Sequence, residues 1–429
     1  MISLHKIIYN IGVKFRNPSY YMAMEELSKS EFFSLEELQD IQKKKLFDLI
    51  EFAKENSAYY LKVLGEIELN SNDNLYDILN SLPTITKREL LDNINEISTV
   101  NQFNFKKIFN SETSGTSGEP LVFPRDEEWD SYHRASIARG LSWHGVKPYC
   151  KSLYFWGYTN SKKNKFKNKI NDILLNRKRL FTFDENSIKN MILNNQDAVM
   201  IHGYSSVINE VAKIVVKNDL SLKNLKVVKG TSEKIYDSYN EMAIKAFDRK
   251  IISEYGAAEA GIIAFECEHG KMHINEETCI LENIAGQAVV TNLHSKSFPI
   301  IRYELGDAII LTDEQCDCGR SHKIISEITG RVGKKIYGYN DKEYPSLTLY
   351  YIFKNLAIEE DICIDYLAEQ FEYGKLIINV SGDLRKDIED KIRNISFRYF
   401  GDNMNINFNE NQVLHDMTSK KTDFKSYLR

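Results

Sequence analysis

Residues 197–231 read DAVMIHGYSSVINEVAKIVVKNDLSLKNLKVVKGT. Two short apolar runs, each stopping at a glycine, flank a helical segment, which is the pattern of buried parallel strands joined by a helix. The same kind of run recurs as SLYFWGY at 152–158 and KIISEYGA at 250–257. Together they predict an α/β core whose ligand groups gather at the carboxyl ends of strands. Upstream, LEELQDIQKKKLFDLIEFAKENSAYY at 35–60 has apolar residues at helical spacing, and Thr86 with Glu89 forms a capping-box signal after the break at Pro83. Downstream, 286–311 (GQAVVTNLHSKSFPIIRYELGDAIIL) reads as antiparallel strands. The stretch ICIDYLAEQFEYGKLIINVSG, followed by a charged helix near 384–394, predicts a small α+β domain over 335–429 beside a large domain over 1–331.

A chain of 429 residues exceeds one ordinary core, so two domains agree with the length. The net charge of −5 argues against nucleic acid as a partner. No apolar run is long enough to span a membrane. The first residues, MISLHKIIYNIGVKF, read as a helix that either lies on a membrane surface or packs on the protein, and packing is the expectation. Six cysteines do not make a disulfide scaffold, and a reducing cytoplasm is the expected compartment. The lysine-rich stretch 162–169 (KKNKFKNK) reads as a solvated loop. The sequence carries no reading of oligomeric state.

Chemistry concentrates in a few motifs. Residues 111–123, SETSGTSGEPLVF, combine glycines able to turn backbone N–H groups toward an anion with small hydroxyl donors, the makings of a polyphosphate loop without Walker spacing. Further along come His202-Gly203-Tyr204-Ser205, expected as a ligand-facing turn after the strand DAVMI, Tyr255-Gly256-Ala257-Ala258-Glu259, and Arg302-Tyr303-Glu304-Leu305-Gly306-Asp307, whose last carboxylate is expected after a tight turn. Gly330-Arg331 and Ser419-Lys420-Lys421 complete the series.

In this order the motifs resemble the adenylate-forming superfamily. The chain is most similar to its phenylacetate–CoA ligase-like family and the capsular-polysaccharide-biosynthesis branch, through TSGTSGEPLVF, FECEHGKMHIN, CDCGRSHKIISEITGR, LIEFAKENSAYY and LPTITKREL. The resemblance implies a large N-terminal adenylate-forming domain of mixed and parallel sheets and a small mobile C-terminal domain. It implies ATP-dependent activation of a small carboxylic acid as acyl-adenylate, with release of pyrophosphate and transfer to a thiol (coenzyme A or a carrier) or an amine. Ser114, Gly115, Thr116, Ser117 and Gly118 would hold phosphates. Tyr255 and Gly256 would face adenine, Glu259 would hold Mg²⁺, Asp307 the ribose and Arg331 the ribose or phosphate. Lys421 would be catalytic together with Glu259, with Lys420 as the alternative lysine. Trp156, Tyr158, His202, Tyr204 and Ala257 are candidate acid-pocket residues, and the lysine-rich stretch is a candidate contact for coenzyme A. Three departures stand out: Pro120 and Leu121 replace the loop lysine, Gly333-Lys334 replaces the acidic hinge, and Ser-Lys-Lys replaces Ser-Gly-Lys. The first two motivate an alternative, a nucleotide-binding protein of the same fold without ligase activity.

Cys267 and His273 flank a short turn, and Cys316-Asp317-Cys318-Gly319 makes a second knuckle. Two such nitrogen and sulfur pairs are what a tetrahedral structural Zn²⁺ takes, with His269 as an alternative fourth ligand. Members of the resembling family carry the same pairs. Cys150, Cys279 and Cys363 read as buried or incidental thiols.

Overall fold

The computed structural model describes residues 4–70, 73–113, 120–155, 162–180, 183–331, 335–339, 342–414 and 423–428. The N-terminal part is helical, as its periodicity requires. Helix Leu35–Asn56 opens on a capping box between Ser34 and Glu37, and helix Lys87–Asp92 on the predicted one between Thr86 and Glu89. Each box satisfies backbone donors that a helix start otherwise leaves unpaired, worth about 1 kcal/mol.

Five parallel strands form one sheet, in the order Arg177–Arg179, Ser152–Phe155, Met200–Tyr204, Val227–Thr231, Ile251–Ile252. One face of it, with Leu153, Phe155, Ile201, Val228 and Ile251, is buried in a core with residues of helices Glu185–Leu193, Ser205–Lys217 and Asp237–Phe247. A seven-stranded antiparallel sheet follows, in the order Cys279–Ile284, Gln287–Asn292, Tyr303–Thr312, Ile324–Arg331, Met272–Ile274, Gly261–Glu266, Glu254–Ala257. The helical N-terminal part packs on this sheet in the largest apolar core, which holds Leu46, Leu49, Ile50, Trp129, Ile263, Val290 and Phe298. Burial of each such side chain contributes roughly 1.5–3 kcal/mol.

A separate core around Ile336, Leu356, Ile378, Ile395 and Phe424 belongs to the small C-terminal unit. There a mixed sheet, ordered Asn405–Asn409, Lys375–Val380, Tyr366–Glu372, Phe424–Ser426, packs with helices Leu347–Glu360 and Lys386–Phe400. The Tyr350 hydroxyl of this unit hydrogen-bonds to Glu327, and the Lys234 ammonium lies 3.6 Å from the Tyr350 ring centroid.

Several sequence expectations need correction. KIISEYGA is not one strand: Ile251–Ile252 ends the parallel sheet, and Glu254–Ala257 starts the antiparallel one. His202, Gly203 and Tyr204 belong to the strand Met200–Tyr204 and do not form a turn after it. The lysine-rich stretch is the start of a helix, Lys162–Leu174. Asp307 lies within the strand Tyr303–Thr312, just after Gly306 at φ +70, and does not follow a separate turn. The N-terminal helix Leu4–Arg16 forms as expected, yet it buries Val13 and leaves an apolar stripe uncovered.

Candidate active site

The tyrosines of the two central motifs each hold the other motif's carboxylate. Tyr255 Oη donates to Asp307 Oδ2 at 2.8 Å, and Tyr303 Oη donates to Glu259 Oε1 at 3.2 Å. Asn292 Nδ2 adds a bond to the Glu259 carbonyl at 3.1 Å. Glu259 is only 7% exposed, and a carboxylate so buried needs such donors to repay its lost hydration. The Tyr255 ring is itself part of the large core, so its hydroxyl is fixed where it meets Asp307. A Cβ at Gly256 would meet the Gly261 carbonyl oxygen at 2.5 Å, which reserves the position for glycine. Ala257 follows, half-buried. Asp307 sits directly opposite Arg331 across the strand pair, and the Arg331 side chain lies outside the described residues. Arg302, at φ +48, turns inward to a two-point ion pair with Glu282 (3.0 and 2.9 Å) and to the Leu82 carbonyl. It braces the motif.

Ser114 to Gly118 lie outside the described residues, but the hairpin that carries them does not. Strands Ile108–Glu112 and Val122–Asp126 pair antiparallel, and Thr113 N–H donates to the Leu121 carbonyl at 3.0 Å. Arg125 Nη2 donates to the Ala258 carbonyl at 2.6 Å, tying this stalk to the turn that bears Glu259. Lys420, Lys421, Trp156 and Tyr158 are likewise outside the described residues. Beyond the late lysines, both carboxylate oxygens of Asp423 lie 3.2 Å from the Tyr236 hydroxyl, which donates to them.

On the inner face of the parallel sheet a polar row replaces the expected apolar one. Tyr154, His202 and Lys229 are register neighbours on three adjacent strands. His202 stacks on Tyr154 with centroids 4.8 Å apart and planes 5° from parallel. Lys229 pairs with Glu254 at 2.6 Å, one residue before Tyr255. Burial pushes His202 well below its ordinary pKa, aided by Lys229, Arg177 and Arg179 nearby. Burial also lowers Lys229, opposed by Glu254. Tyr204, half-buried, ends the strand and stands at the position just before helix Ser205–Lys217. Sequence reading missed Lys229, Glu254, Tyr303 and Arg125. The signal for Lys229 was present: a lysine inside VVKGT, a run otherwise fit for full burial, requires a partner.

Away from this row the four predicted cysteine and histidine residues converge. The ligand atoms of Cys267, His273, Cys316 and Cys318 all lie within 4.8 Å of one another. The Cys267 and Cys316 sulfurs are 3.7 Å apart, and Cys318 Sγ is 3.2 Å from His273 Nε2. The edges of a tetrahedral Zn²⁺ site would be about 3.8 Å between sulfurs and about 3.5 Å from sulfur to nitrogen. His273 Nδ1 lies 3.0 Å from the His322 carbonyl, which fixes a tautomer whose Nε2 lone pair faces the sulfurs. His269 takes no place among the four; its backbone N–H donates to Cys267 Sγ at 3.3 Å. Gly319, at φ +80, closes the second knuckle through its N–H to the Cys316 carbonyl. Burial pushes the Cys316 thiol up to about 12 and raises Cys267 too. Burial opposes ionisation of Cys318 as well, but hydrogen bonds from Arg320 bring that thiol below its ordinary value. A bound divalent ion reverses the first two shifts by stabilising thiolate, so the donor set fits zinc. Of the other cysteines, Cys279 is buried and Cys363 is exposed.

No protein-family model matches the chain. Protein CapK of Staphylococcus aureus is 23% identical over 293 residues, covering 65% of this chain and 64% of CapK. The chain therefore matches less than two thirds of that relative's length. A solved 2-hydroxyisobutyryl-CoA ligase, in the postadenylation state in complex with R3-HIB-AMP, superposes with a TM-score of 0.70 at 15% identity, over 93% of this chain and 91% of the ligase. The amide bond synthetase McbA of Marinactinospora thermotolerans superposes at 0.50 and 12% identity, over 73% of this chain and 67% of McbA. The chain has the fold of the adenylate-forming ligases, as its motifs implied.

Proposed function

We propose that this protein uses ATP to convert a small carboxylic acid into an acyl-adenylate, releasing pyrophosphate, and then passes the acyl group to a thiol or an amine. The observation that carries the reading is the mutual hold of Tyr255 on Asp307 and of Tyr303 on Glu259. Each carboxylate is thereby tied to the other motif's tyrosine, which supports a shared role for the two motifs. Asp307 accepts the ribose hydroxyls, and Arg331, opposite it, contacts the ribose or a phosphate. Tyr255 and Gly256 form the adenine side, and Ser114 to Gly118 direct donors at the β- and γ-phosphates. Glu259 is a buried oxygen donor of the kind Mg²⁺ takes, and that ion would offset charge on the leaving pyrophosphate. Lys421 supplies the cation between carboxylate and α-phosphate, since two anions must approach there. Tyr158, His202, Tyr204 and Ala257 border the acid.

The small C-terminal domain, 335–429, turns relative to the large domain, 1–331, between the half-reactions. The acceptor is coenzyme A, a carrier thiol or an amine, in keeping with fold relatives that include a CoA ligase and an amide bond synthetase. Work in surface-polysaccharide biosynthesis is supported by the motif resemblance and the likeness to CapK, and a reducing cytoplasm by the cysteine usage. No described helix is long and apolar enough to cross a membrane. Mass spectrometry of a reaction with ATP, Mg²⁺ and an acid library tests the chemistry: acyl-AMP with pyrophosphate is the expected product pair, and ADP with phosphate contradicts it.

Cys267, His273, Cys316 and Cys318 would hold a structural Zn²⁺ that staples two turns and does no chemistry. One zinc per chain is expected from metal analysis of the purified protein. The double variant Cys316→Ser/Cys318→Ser should lose it and melt lower by several degrees, as loss of a structural metal predicts. Wild-type protein free of zinc, with unchanged melting on chelation, would remove the metal from the account.

A further inference from the structure

We propose that the helices Leu4–Arg16 and Lys162–Leu174 form a docking surface for an anionic lipid bilayer. On the first helix Leu4, Ile7, Ile11 and Phe15 are between 45% and 77% exposed. Their spacing of three and four residues puts them on one stripe. The second helix packs beside the first and leaves Ile170, Ile173 and Leu174 between 43% and 59% exposed. Seven large apolar side chains on two adjacent helices exceed the scattered exposure normal for a surface.

The charge that the two helices carry identifies the occupant. The first helix contains Lys6 and Lys14, besides Arg16, which is held by Asp130, and no acidic residue. The second contains Lys162, Lys163, Lys165, Lys167 and Lys169 and one acid, Asp172, whose carboxylate is taken by Arg179 at 2.8 and 3.0 Å. This basic excess lies in a chain whose net charge is −5. A basic amphipathic helix with an apolar stripe suits the boundary between headgroups and acyl chains. At 13 residues the first helix is about 20 Å long, too short to span and long enough to lie in the plane. A second copy is disfavoured, because a two-fold interface would set this basic patch against itself.

The test is sedimentation of the whole protein with phosphatidylcholine vesicles, with and without phosphatidylglycerol. Retention roughly tenfold greater on the anionic vesicles is expected, falling as salt screens the lysines. Ile11→Glu/Phe15→Glu should abolish retention with unchanged thermal unfolding, and neutralising Lys163, Lys165 and Lys169 to Gln should weaken it. Equal retention on both vesicle types, or none on either, overturns the proposal. A dimer in light scattering that Ile11→Glu/Phe15→Glu converts to monomer overturns it in favour of self-association.

Discussion

Replacing Lys421 with alanine is expected to slow acid-dependent exchange of pyrophosphate into ATP about a thousandfold, with ATP affinity changed by less than about threefold. An ammonium placed between a carboxylate and the α-phosphate gains most as the two anions close on each other, so its loss falls on the rate and spares binding. Lys420→Ala should change exchange less than about threefold, because adjacent side chains cannot both occupy that position. Asp307→Ala should behave in the opposite way. On the proposed reading it removes an acceptor for the ribose, and it removes the bond from the Tyr255 hydroxyl, so ATP binding should weaken by about tenfold to a hundredfold. Titration of ATP beside exchange kinetics separates the two effects.

Glu259→Gln is expected to reduce exchange by about a hundredfold or more and to raise the Mg²⁺ concentration needed for half-maximal rate. The amide keeps the shape and still accepts from Tyr303, but it lacks the negative charge that a hard cation requires. Tyr303→Phe should be milder, since it removes one hydrogen bond to the carboxylate worth about 1–3 kcal/mol. If Glu259→Gln instead lowered the melting temperature and left the Mg²⁺ dependence alone, the carboxylate would be a structural group.

What the sequence disclosed follows the range of the interactions. Capping boxes are local, so Thr86 with Glu89 was legible from four residues. The cluster of Cys267, His273, Cys316 and Cys318 was legible because each knuckle is short and chemically unusual, and two such pairs together suggest one tetrahedral site. The parallel strands were legible as apolar runs, but not the split at Ser253, because the run is continuous in sequence and only hydrogen-bond partners tell the sheets apart. The polar row was hidden for a related reason. Tyr154, His202 and Lys229 are dozens of residues apart, and register alone makes them neighbours. Exposure of Leu4, Ile7, Ile11 and Phe15 was equally hidden, since an amphipathic pattern does not name what covers its apolar side.

Acid-dependent exchange of labelled pyrophosphate into ATP, run with Mg²⁺ across a panel of small carboxylic acids, bears most directly on the central claim. The account predicts exchange that requires an acid from the panel and disappears in Lys421→Ala. ATP binding at the site of Asp307 and Glu259, with no acid able to drive exchange, would contradict it.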